Sequence, residues 1–255
     1  MVSFNFKDKV VIITGAGSGI GRATAIEFAK SGAFVYLIDK SEKTLIETAH
    51  KIKDMGKNAA YVKVDVSIWE EVEKMANLIK KEQGRIDVLV NNAGIASTNK
   101  ASWVMPTLEI DIKEWKGVLA TNLNGQFFCA KAVIPVMMKQ RSGNIVNVSS
   151  SVAFTGAVGS VAYCASKAGV IGLTRHLARE LGPYNIKVNC IAPGLILTPM
   201  QEGIPEEAIN EIVRRIPLRR AGTAEDVARI ILFLSCEELY MTGQTIIIDG
   251  GNFMH

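Results

Sequence analysis

The stretch of sequence that decides the fold is VVIITGAGSGIG, residues 10–21. Its first four residues are all apolar, which predicts a strand buried on both faces of a parallel sheet. The glycines that follow let the chain turn sharply and let backbone N–H groups approach an anion closely. A helix predicted to follow them adds the positive end of its dipole at the same point. The spacing is GxxxGxG, through Gly15, Gly19 and Gly21, and it departs from the stricter GxGxxG pattern. We therefore predict a strand–turn–helix unit that binds a pyrophosphate, with a plain structural turn as the alternative.

Apolar runs of the same kind recur along the chain, with helix-like segments between them. The predicted strands are Val10–Ile13, Phe34–Ile38, Tyr61–Val64, Val88–Val90, Ile145–Val148, Val188–Ile191 and Thr245–Ile248. The predicted helices, each ended by a glycine, are Arg22–Lys30, Ser41–Met55 and Ile68–Gln83. This alternation implies right-handed crossovers. We expect an α/β fold: one domain over residues 1–255, with a single doubly wound Rossmann-type parallel sheet of about seven strands and helices on both faces.

An acidic residue, Asp39, ends the second predicted strand. In the dinucleotide-binding pattern, a carboxylate at this place accepts hydrogen bonds from the ribose hydroxyls of the adenosine. The same carboxylate repels a 2′-phosphate, so it favours NAD over NADP. Lys40 beside it weakens this preference, because a cation near the ribose tolerates the phosphate. A turn aspartate is the alternative role, and the glycine-rich stretch disfavours it.

A second group of residues is suited to acid–base chemistry. Tyr163 and Lys167 stand four residues apart, on one face of a predicted helix. A free tyrosine has a pKa of about 10, too high for a good base at neutral pH. An ammonium group roughly 4 Å away favours the phenolate by about three pKa units, so we expect Lys167 to bring the pKa of Tyr163 toward neutrality. Ser150, after a predicted strand, would hold a substrate oxygen while Tyr163 takes or gives its proton. Surface packing is the alternative for the Tyr–Lys pair taken alone.

Taken together and in order, these motifs resemble those of the short-chain dehydrogenase/reductase family. The matching positions, in chain order, are Thr14–Gly21, Asp65–Val66, Asn91–Gly94, Asn122, Ser150, Tyr163, Lys167, Pro193–Gly194, Thr242–Gln244 and Asp249–Gly251. The resemblance extends from Lys9 to Gly251, essentially the whole chain. It implies an oxidoreductase that moves a hydride between a nicotinamide cofactor and an alcohol or ketone.

The resemblance also implies roles for individual residues. Tyr163 would be the general acid and base, Ser150 would orient the substrate oxygen, and Lys167 would lower the pKa of Tyr163 and bind the nicotinamide ribose. Asn122 would hold a water in a proton relay from Lys167 to solvent. The catalytic set is therefore Asn122, Ser150, Tyr163 and Lys167. The implied cofactor contacts fall into five groups along the dinucleotide. They are Gly15, Ser18, Gly19, Ile20 and Gly21 at the pyrophosphate, Asp39 at the adenosine ribose, Asp65 and Val66 at the adenine, Asn92 where the cofactor crosses the sheet with Tyr163 and Lys167 beyond it, and Ile196 and Thr198 at the carboxamide.

Three further segments surround the predicted substrate site. A long segment, Ser97–Leu108, follows the fourth strand, and Trp103 and Met105 in it either shape the pocket or simply pack. Residues 198–216 are expected to form a mobile lid, with a helix over Met200–Ile216, as the resemblance implies. Arg214–Arg220 is the densest basic run, for which a solvated or interface role is favoured over binding of an anionic substrate or carrier.

Composition narrows the remaining function classes. The net charge is +4, with acidic residues scattered among the basic ones, so no nucleic-acid partner is expected. The four cysteines and three histidines lack metal-ligand spacing, so no metal is assigned, and reduced thiols in a cytoplasmic protein are expected. No apolar run reaches about 18 residues, so neither secretion nor a membrane span is expected.

The leading hypothesis is an NAD-dependent dehydrogenase of a small secondary alcohol, a polyol or a sugar. A 3-oxoacyl-(acyl-carrier-protein) reductase is the alternative within the family. Arg141 matches one carrier-docking position of those enzymes, but Tyr184 stands where a second arginine is expected, and Asp39 disfavours the NADPH that they usually use. A non-catalytic NAD-binding sensor is the alternative from another class, and the complete catalytic set disfavours it. The expected partners are the small-molecule substrate and other copies of the chain, in the homotetramer that is common in the family.

Overall fold

The computed structural model describes residues 4–98, 105–156 and 161–254. Its strands are β1 (Val10–Thr14), β2 (Phe34–Asp39), β3 (Ala59–Lys63), β4 (Val88–Asn91), β5 (Gly143–Val148), β6 (Ile186–Pro193) and β7 (Thr245–Ile248). They form one sheet in the order β3-β2-β1-β4-β5-β6-β7, and every neighbouring pair is parallel. The predicted doubly wound α/β fold is confirmed.

Helices cover both faces of this sheet. They are α1 (Gly19–Lys30), α2 (Glu42–Asp54), α3 (Trp69–Gln83), α4 (Ile112–Leu119), α5 (Gly125–Gln140), α6 (Val152–Thr155), α7 (Val161–Leu181), α8 (Glu206–Arg215) and α9 (Ala224–Leu234). A π-helical turn, Ala120–Asn124, joins α4 to α5. Across the described ranges, none of the helices is long and apolar enough to cross a membrane.

Side chains of the central strands alternate between two apolar layers. In β1, Ile12 packs with residues of α3, α5 and α7, whereas Val11 and Ile13 pack with residues of α1, α2 and α9. All three are fully buried. Burial on both faces explains why the strand is apolar at every position instead of at every second one.

Apart from the helix predicted over Met200–Ile216, every predicted element begins and ends within three residues of the observed one. The third strand was predicted at Tyr61–Val64 but β3 begins at Ala59, because its pairing with β2 runs from Ala59 to Lys63. As an edge strand, β3 is only partly buried, so its apolar residues do not mark its ends.

The helix predicted over Met200–Ile216 is present only in its second part, Glu206–Arg215. A short 3₁₀ turn, Pro199–Gln201, is followed by a break, and α8 begins only at Glu206. Gly203 has a φ of 94°, in the left-handed region that favours glycine. Pro205 then precedes the first residue of α8 and removes a backbone donor. These two residues divide the segment.

The site is positioned by the order of the strands. Strand β1 lies between β2 on one side and β4 on the other, so the chain leaves the middle of the sheet in both directions. Parallel α/β sheets bind ligands in the crevice that this reversal leaves at the carboxyl ends of the strands. Here that crevice lies after Thr14 of β1 and Asn91 of β4.

Candidate active site

A cavity of ≈ 290 Å³ opens at this edge of the sheet. One end is formed by residues after β2, and the other by residues of β5, β6 and α7. All of the site residues predicted from the sequence line it except Gly21 and Asn122. Folding therefore brings together residues that are spread over about 180 positions, between Gly15 and Thr198.

The glycine loop forms one wall of the cavity. Gly15 and Gly19 have φ values of 66° and 49°, which favour glycine. Ser18 precedes α1, but its side chain does not cap the helix, and the first turn holds no acidic residue. The positive end of the α1 dipole is therefore left available at the cavity, which fits a diphosphate. Gly21 lies behind the loop, where a Cβ would overlap the carbonyl oxygen of Gly15, so it permits the turn instead of lining the cavity.

Asp39 is held at the cavity wall by two backbone donors. The N–H of Gly17 donates to Oδ2 at 3.1 Å, and the N–H of Ser41 donates to Oδ1 at 3.0 Å. Lys40 lines the same end of the cavity. A carboxylate oriented in this way fits the hydroxyl groups of a ribose and adds negative charge where a 2′-phosphate would bring more.

Asp65 and Asn92 line the cavity, and each forms hydrogen bonds that fix the neighbouring backbone. Asp65 Oδ1 accepts hydrogen bonds from the backbone N–H of Ser67 at 2.9 Å and from its hydroxyl at 2.6 Å, which fixes the turn after β3 beside Val66. The side-chain amide of Asn92 donates to the carbonyl oxygen of Thr14 at 2.9 Å. Asn92 thereby joins the carboxyl ends of β4 and β1.

The second end of the cavity contains Ser150, Tyr163 and Lys167. The Ser150 hydroxyl forms a hydrogen bond with the phenol of Tyr163. The ammonium of Lys167 lies 5.5 Å from the centre of the Tyr163 ring, and Nζ donates to the carbonyl oxygen of Val148 at 2.9 Å. Lys167 is buried, and desolvation lowers its pKa to about 8. The arrangement places a proton donor, its hydrogen-bond partner and a cation around one opening.

The expectation that Lys167 lowers the pKa of Tyr163 toward neutrality is wrong for this arrangement. Although part of Tyr163 faces the cavity, loss of hydration around the phenol raises its pKa above the usual value. The hydrogen bond with Ser150 acts in the opposite direction but does not overcome burial. The ammonium is bonded to Val148 instead of to the phenol, which explains why desolvation dominates.

Asn122 is fully buried in the π-helical turn and does not line the cavity. Its Oδ1 accepts from the N–H of Ile95 at 2.8 Å, and its Nδ2 donates to the carbonyl oxygen of Ile95 at 2.8 Å and to the Ser166 hydroxyl at 3.1 Å. The side chain is thus occupied in holding the segment after β4, and the role of Asn122 in holding a relay water stays a prediction.

Ile196 and Thr198 connect the glycine loop to the base of the predicted lid. Ile196 is buried and pairs with Gly222. The Thr198 hydroxyl donates to Gln201 at 2.6 Å, and the Thr198 side chain would lie 3.2 Å from a Cβ on Gly19. The start of the predicted lid segment therefore packs directly against the loop that faces a diphosphate.

Two further residues form the framework of the site: Thr14, which the glycine motif includes but to which the sequence assigned no role, and Gln126, which sequence reasoning missed. The Thr14 hydroxyl accepts from the N–H groups of Asn92 and Ala93, both at 3.0 Å. Gln126 Nε2 donates to the carbonyl oxygen of Val148, the same atom that Lys167 contacts. A hydroxyl at the end of an otherwise apolar strand was a usable signal for Thr14, whereas no local pattern distinguishes Gln126.

The remaining segments contribute less to the described cavity. Met105 does not line it, and Trp103 lies outside the described residues. In the basic run, Arg219 donates to the carbonyl oxygen of Arg214, and Arg220 pairs with Asp226 at 2.6 Å. Among the described residues, no group of three or more His, Cys, Asp or Glu side chains is placed to hold a metal ion.

Comparison with known proteins agrees with this geometry. A family model described as enoyl-(acyl carrier protein) reductase matches residues 15–252. The 3-oxoacyl-(acyl-carrier-protein) reductase FabG of Thermotoga maritima is 46% identical over 245 residues, which are 95% of this chain and 97% of that protein. The protein of the same name from Staphylococcus epidermidis is 38% identical, over 97% of this chain and 100% of its own. The crystal structure of levodione reductase is similar with a TM-score of 0.91 at 36% identity, over 97% of this chain and 98% of that one.

Proposed function

The chain belongs to the short-chain dehydrogenase/reductase family, and we propose that it is an NAD(H)-dependent oxidoreductase that interconverts a secondary alcohol and a ketone. One observation carries the proposal. A single cavity has the glycine loop and Asp39 at one end and the hydrogen-bonded pair of Ser150 and Tyr163 at the other. A dinucleotide that spans this cavity would bring its nicotinamide to the acid–base pair.

Tyr163 is the proposed proton donor and acceptor. Because its pKa is raised, the phenol is protonated at neutral pH and ready to donate to a ketone oxygen. Ser150 would hold that same oxygen. In the direction of oxidation, the phenolate takes the proton of the alcohol. The cofactor, when bound, would supply the hydride as NADH in reduction and accept it as NAD+ in oxidation.

The charges near the β2 end of the cavity support NAD over NADP. Asp39 lines that end as a fixed carboxylate, and Lys40 is the cation beside it. Arg22, the other nearby cation, does not line the cavity and is paired with Glu47 at 3.0 Å. A 2′-phosphate bound there would therefore be repelled by the carboxylate of Asp39, and Lys40 would offset only part of that repulsion.

A small secondary alcohol, a polyol or a sugar is the proposed substrate class. The second candidate is a 3-oxoacyl thioester carried on an acyl-carrier protein, and the 46% identity with the Thermotoga maritima reductase favours it. The carrier-docking positions argue against this second candidate. The guanidinium of Arg141 donates to the carbonyl oxygen of Pro183 at 3.1 Å, and the next residue, Tyr184, brings no second cation.

The test is a panel of alcohols, polyols, sugars and 3-oxoacyl thioesters, assayed with each of the four nicotinamide cofactors by the absorbance of the reduced ring. Turnover of one alcohol or ketone class with NAD(H) is the expected result. Reduction of acetoacetyl thioesters with NADPH, with no turnover of the other classes, would contradict the proposal and support the second candidate, a 3-oxoacyl thioester reductase. Binding of NADH without turnover of any compound would point to a sensor.

A homotetramer is part of the proposal. Strand β7 is an edge of the sheet, and an open edge is a surface on which another chain can pair. Phe127 of α5, Ile112 of α4 and Phe233 of α9 are exposed apolar side chains. Contacts between copies would cover them. Light scattering of the purified protein should give the mass of four chains, and a monomer at all concentrations would contradict this.

A cytoplasmic location is proposed on the state of the thiols. Among the described residues, Cys129, Cys164, Cys190 and Cys236 form no disulfide bond, as is usual in a reducing compartment. Fractionation of the source cells, with detection of the protein by immunoblot, tests the location.

A further inference from the structure

Arg22 lies near the start of α1 and does not line the cavity, but its side chain reaches back to the glycine loop. Its Nη2 donates to the carbonyl oxygen of Gly17, and its Nε donates to the hydroxyl of Thr48 at 3.0 Å. The hydroxyl of Thr48, fully buried in α2, lies 3.1 Å from the carbonyl oxygen of Ala16 and 3.0 Å from that of Thr44, and these two acceptors share its one proton. Glu47 pairs with Arg22 at 3.0 Å. The consecutive carbonyl groups of Ala16 and Gly17 are thus held by Thr48 and Arg22, on the side of the loop that faces α2.

These bonds determine which way the peptide groups face. In a trans peptide the carbonyl and the following N–H point in opposite directions. The N–H of Gly17, opposite the carbonyl of Ala16, donates to Asp39 at the cavity wall. By the same geometry, the N–H of Ser18 is directed away from Arg22, and Ser18 lines the cavity.

A loop rich in glycine needs such a constraint. Glycine rotates freely between conformations that turn a carbonyl or an N–H toward the same point. A carbonyl oxygen turned into the cavity would repel a diphosphate, whereas an N–H attracts it. A cation this close to the start of a helix also opposes the helix dipole, so α1 by itself gains nothing from Arg22. The bond with the loop accounts for its presence.

We propose that Arg22 and Thr48 are positioning residues for the diphosphate of a dinucleotide. They hold the carbonyl groups of Ala16 and Gly17 away from the cavity, so that neither carbonyl oxygen faces the anion. The N–H of Ser18 is then directed toward the anion, and the N–H of Gly17 holds Asp39. Arg22 acts through this geometry, because its guanidinium is engaged by Gly17, Thr48 and Glu47. The inference rests on the proposed dinucleotide cofactor.

The experiment compares a ligand that has the diphosphate with one that lacks it. Binding of ADP-ribose is measured by calorimetry and binding of adenosine by ligand-observed NMR, for the wild type and for Arg22→Met, Arg22→Lys and Thr48→Val. Lys30→Met is the control, since Lys30 is an exposed, ion-paired cation at the far end of the same helix. Thermal unfolding establishes that each variant is folded.

We expect Arg22→Met to bind ADP-ribose about 10- to 100-fold more weakly, the effect of one charge-assisted hydrogen bond, with adenosine binding unchanged. Arg22→Lys and Thr48→Val should show smaller losses of the same kind, and Lys30→Met none. In the assay of turnover, the KM for the cofactor should rise while kcat at saturation stays the same.

Three results would overturn the inference. Equal losses for adenosine and ADP-ribose would reduce Arg22 and Thr48 to a structural role. Unchanged ADP-ribose binding in Arg22→Lys and Thr48→Val would also refute the positioning role, even if Arg22→Met does not fold. Failure of the wild type to bind ADP-ribose or NADH would overturn the proposed function as well, and this distinguishes the two failures.

Discussion

At the glycine loop, polar groups are held by hydrogen bonds near the surface, whereas the groups at the opposite end of the cavity are buried. The side chains of Arg22 and Glu47 are 23% and 45% exposed, and Asp39 is oriented by two backbone donors. Lys167 is 3% exposed, and its pKa is lowered to about 8 by desolvation. The first end therefore depends on the orientation of fixed dipoles, and the second on removal of water from ionisable groups.

This difference implies that substitutions at the two ends affect different measurements. Changes at the loop should alter the affinity for the cofactor and leave the chemical step intact. Changes at Ser150, Tyr163 or Lys167 should alter the chemical step and its pH dependence. They should change the affinity for the cofactor less than changes at the loop do. Each of the following predictions would strengthen or remove the distinction.

The largest effect is expected for Tyr163→Phe. It removes the proposed proton donor but keeps the ring, so kcat should fall by roughly 10²–10⁴-fold, the usual contribution of a general acid–base group. The Kd for NADH and the unfolding temperature should stay close to those of the wild type. Steady-state kinetics and calorimetry measure both. Near-normal turnover in this variant would refute the proposed role of Tyr163.

A smaller effect is expected at Asp39, where only the cofactor preference should change. The wild type should have a lower KM for NAD+ than for NADP+. Asp39→Asn removes the negative charge, and the ratio of the two KM values should shift toward NADP+ by about tenfold, which corresponds to one lost charge interaction of ~1.4 kcal/mol. Asp54→Asn, at the exposed end of α2, is the matched control. Comparable or reversed KM values in the wild type would refute the assignment of Asp39.

The pH dependence should differ between the two directions of the reaction. Oxidation needs the phenolate of Tyr163, and burial raises the pKa of this group, so the rate of oxidation should increase from pH 7 to pH 9, by up to about tenfold per unit. Reduction needs the neutral phenol and should be nearly constant around neutrality. Oxidation that does not change over this range would contradict the desolvated phenol.

The smallest effect is expected at Asp226, which lies at the start of α9 and outside both ends of the cavity. Its carboxylate bonds to Arg220 and to the N–H of Thr223, which lowers its pKa to about 2. Asp226→Asn should lower the stability by about 1 kcal/mol, or roughly 2–4 °C in Tm. Neither the Kd for NADH nor kcat should move, and a change in either would show that the two ends are not independent of the rest of the fold.

The sign of this stability effect follows from the pKa. A carboxyl whose pKa is lowered in the folded state stabilises it at pH values above the unfolded pKa, about 4. The contribution of Asp226 should therefore be present near neutrality and be lost as the pH falls from about 4 to about 2. Thermal unfolding of both forms over this range should show the two Tm values converging.

Much of the framework could be predicted because it depends on neighbours in the chain. The apolar run before Gly15, the glycines that end the first three helices, and the four-residue spacing of Tyr163 and Lys167 are all local features. They were sufficient for the sheet, for the loop and for the helical face of the catalytic pair. The break at Gly203 and Pro205 was also local, and it was overlooked in favour of a continuous helix.

The environment of each group could not be predicted, because it is made by residues that are distant in the chain. Asn122 has the expected identity, but its side chain is occupied by Ile95. The lysine beside Tyr163 was expected to lower the pKa of the phenol, whereas burial raises it. Desolvation depends on the summed packing of several elements, which no spacing along the chain expresses.

The order of strands and helices and the residue types at the site are thus properties of the amino-acid sequence, since periodicity and spacing act over a few residues. The pKa values of Tyr163 and Lys167, and the orientation of the loop by Arg22 and Thr48, exist only in the folded chain. The physical reason is that burial and hydrogen bonding are set by three-dimensional proximity. A spacing can specify which side chains share a helix face, but only packing determines how much water and which partners remain around them.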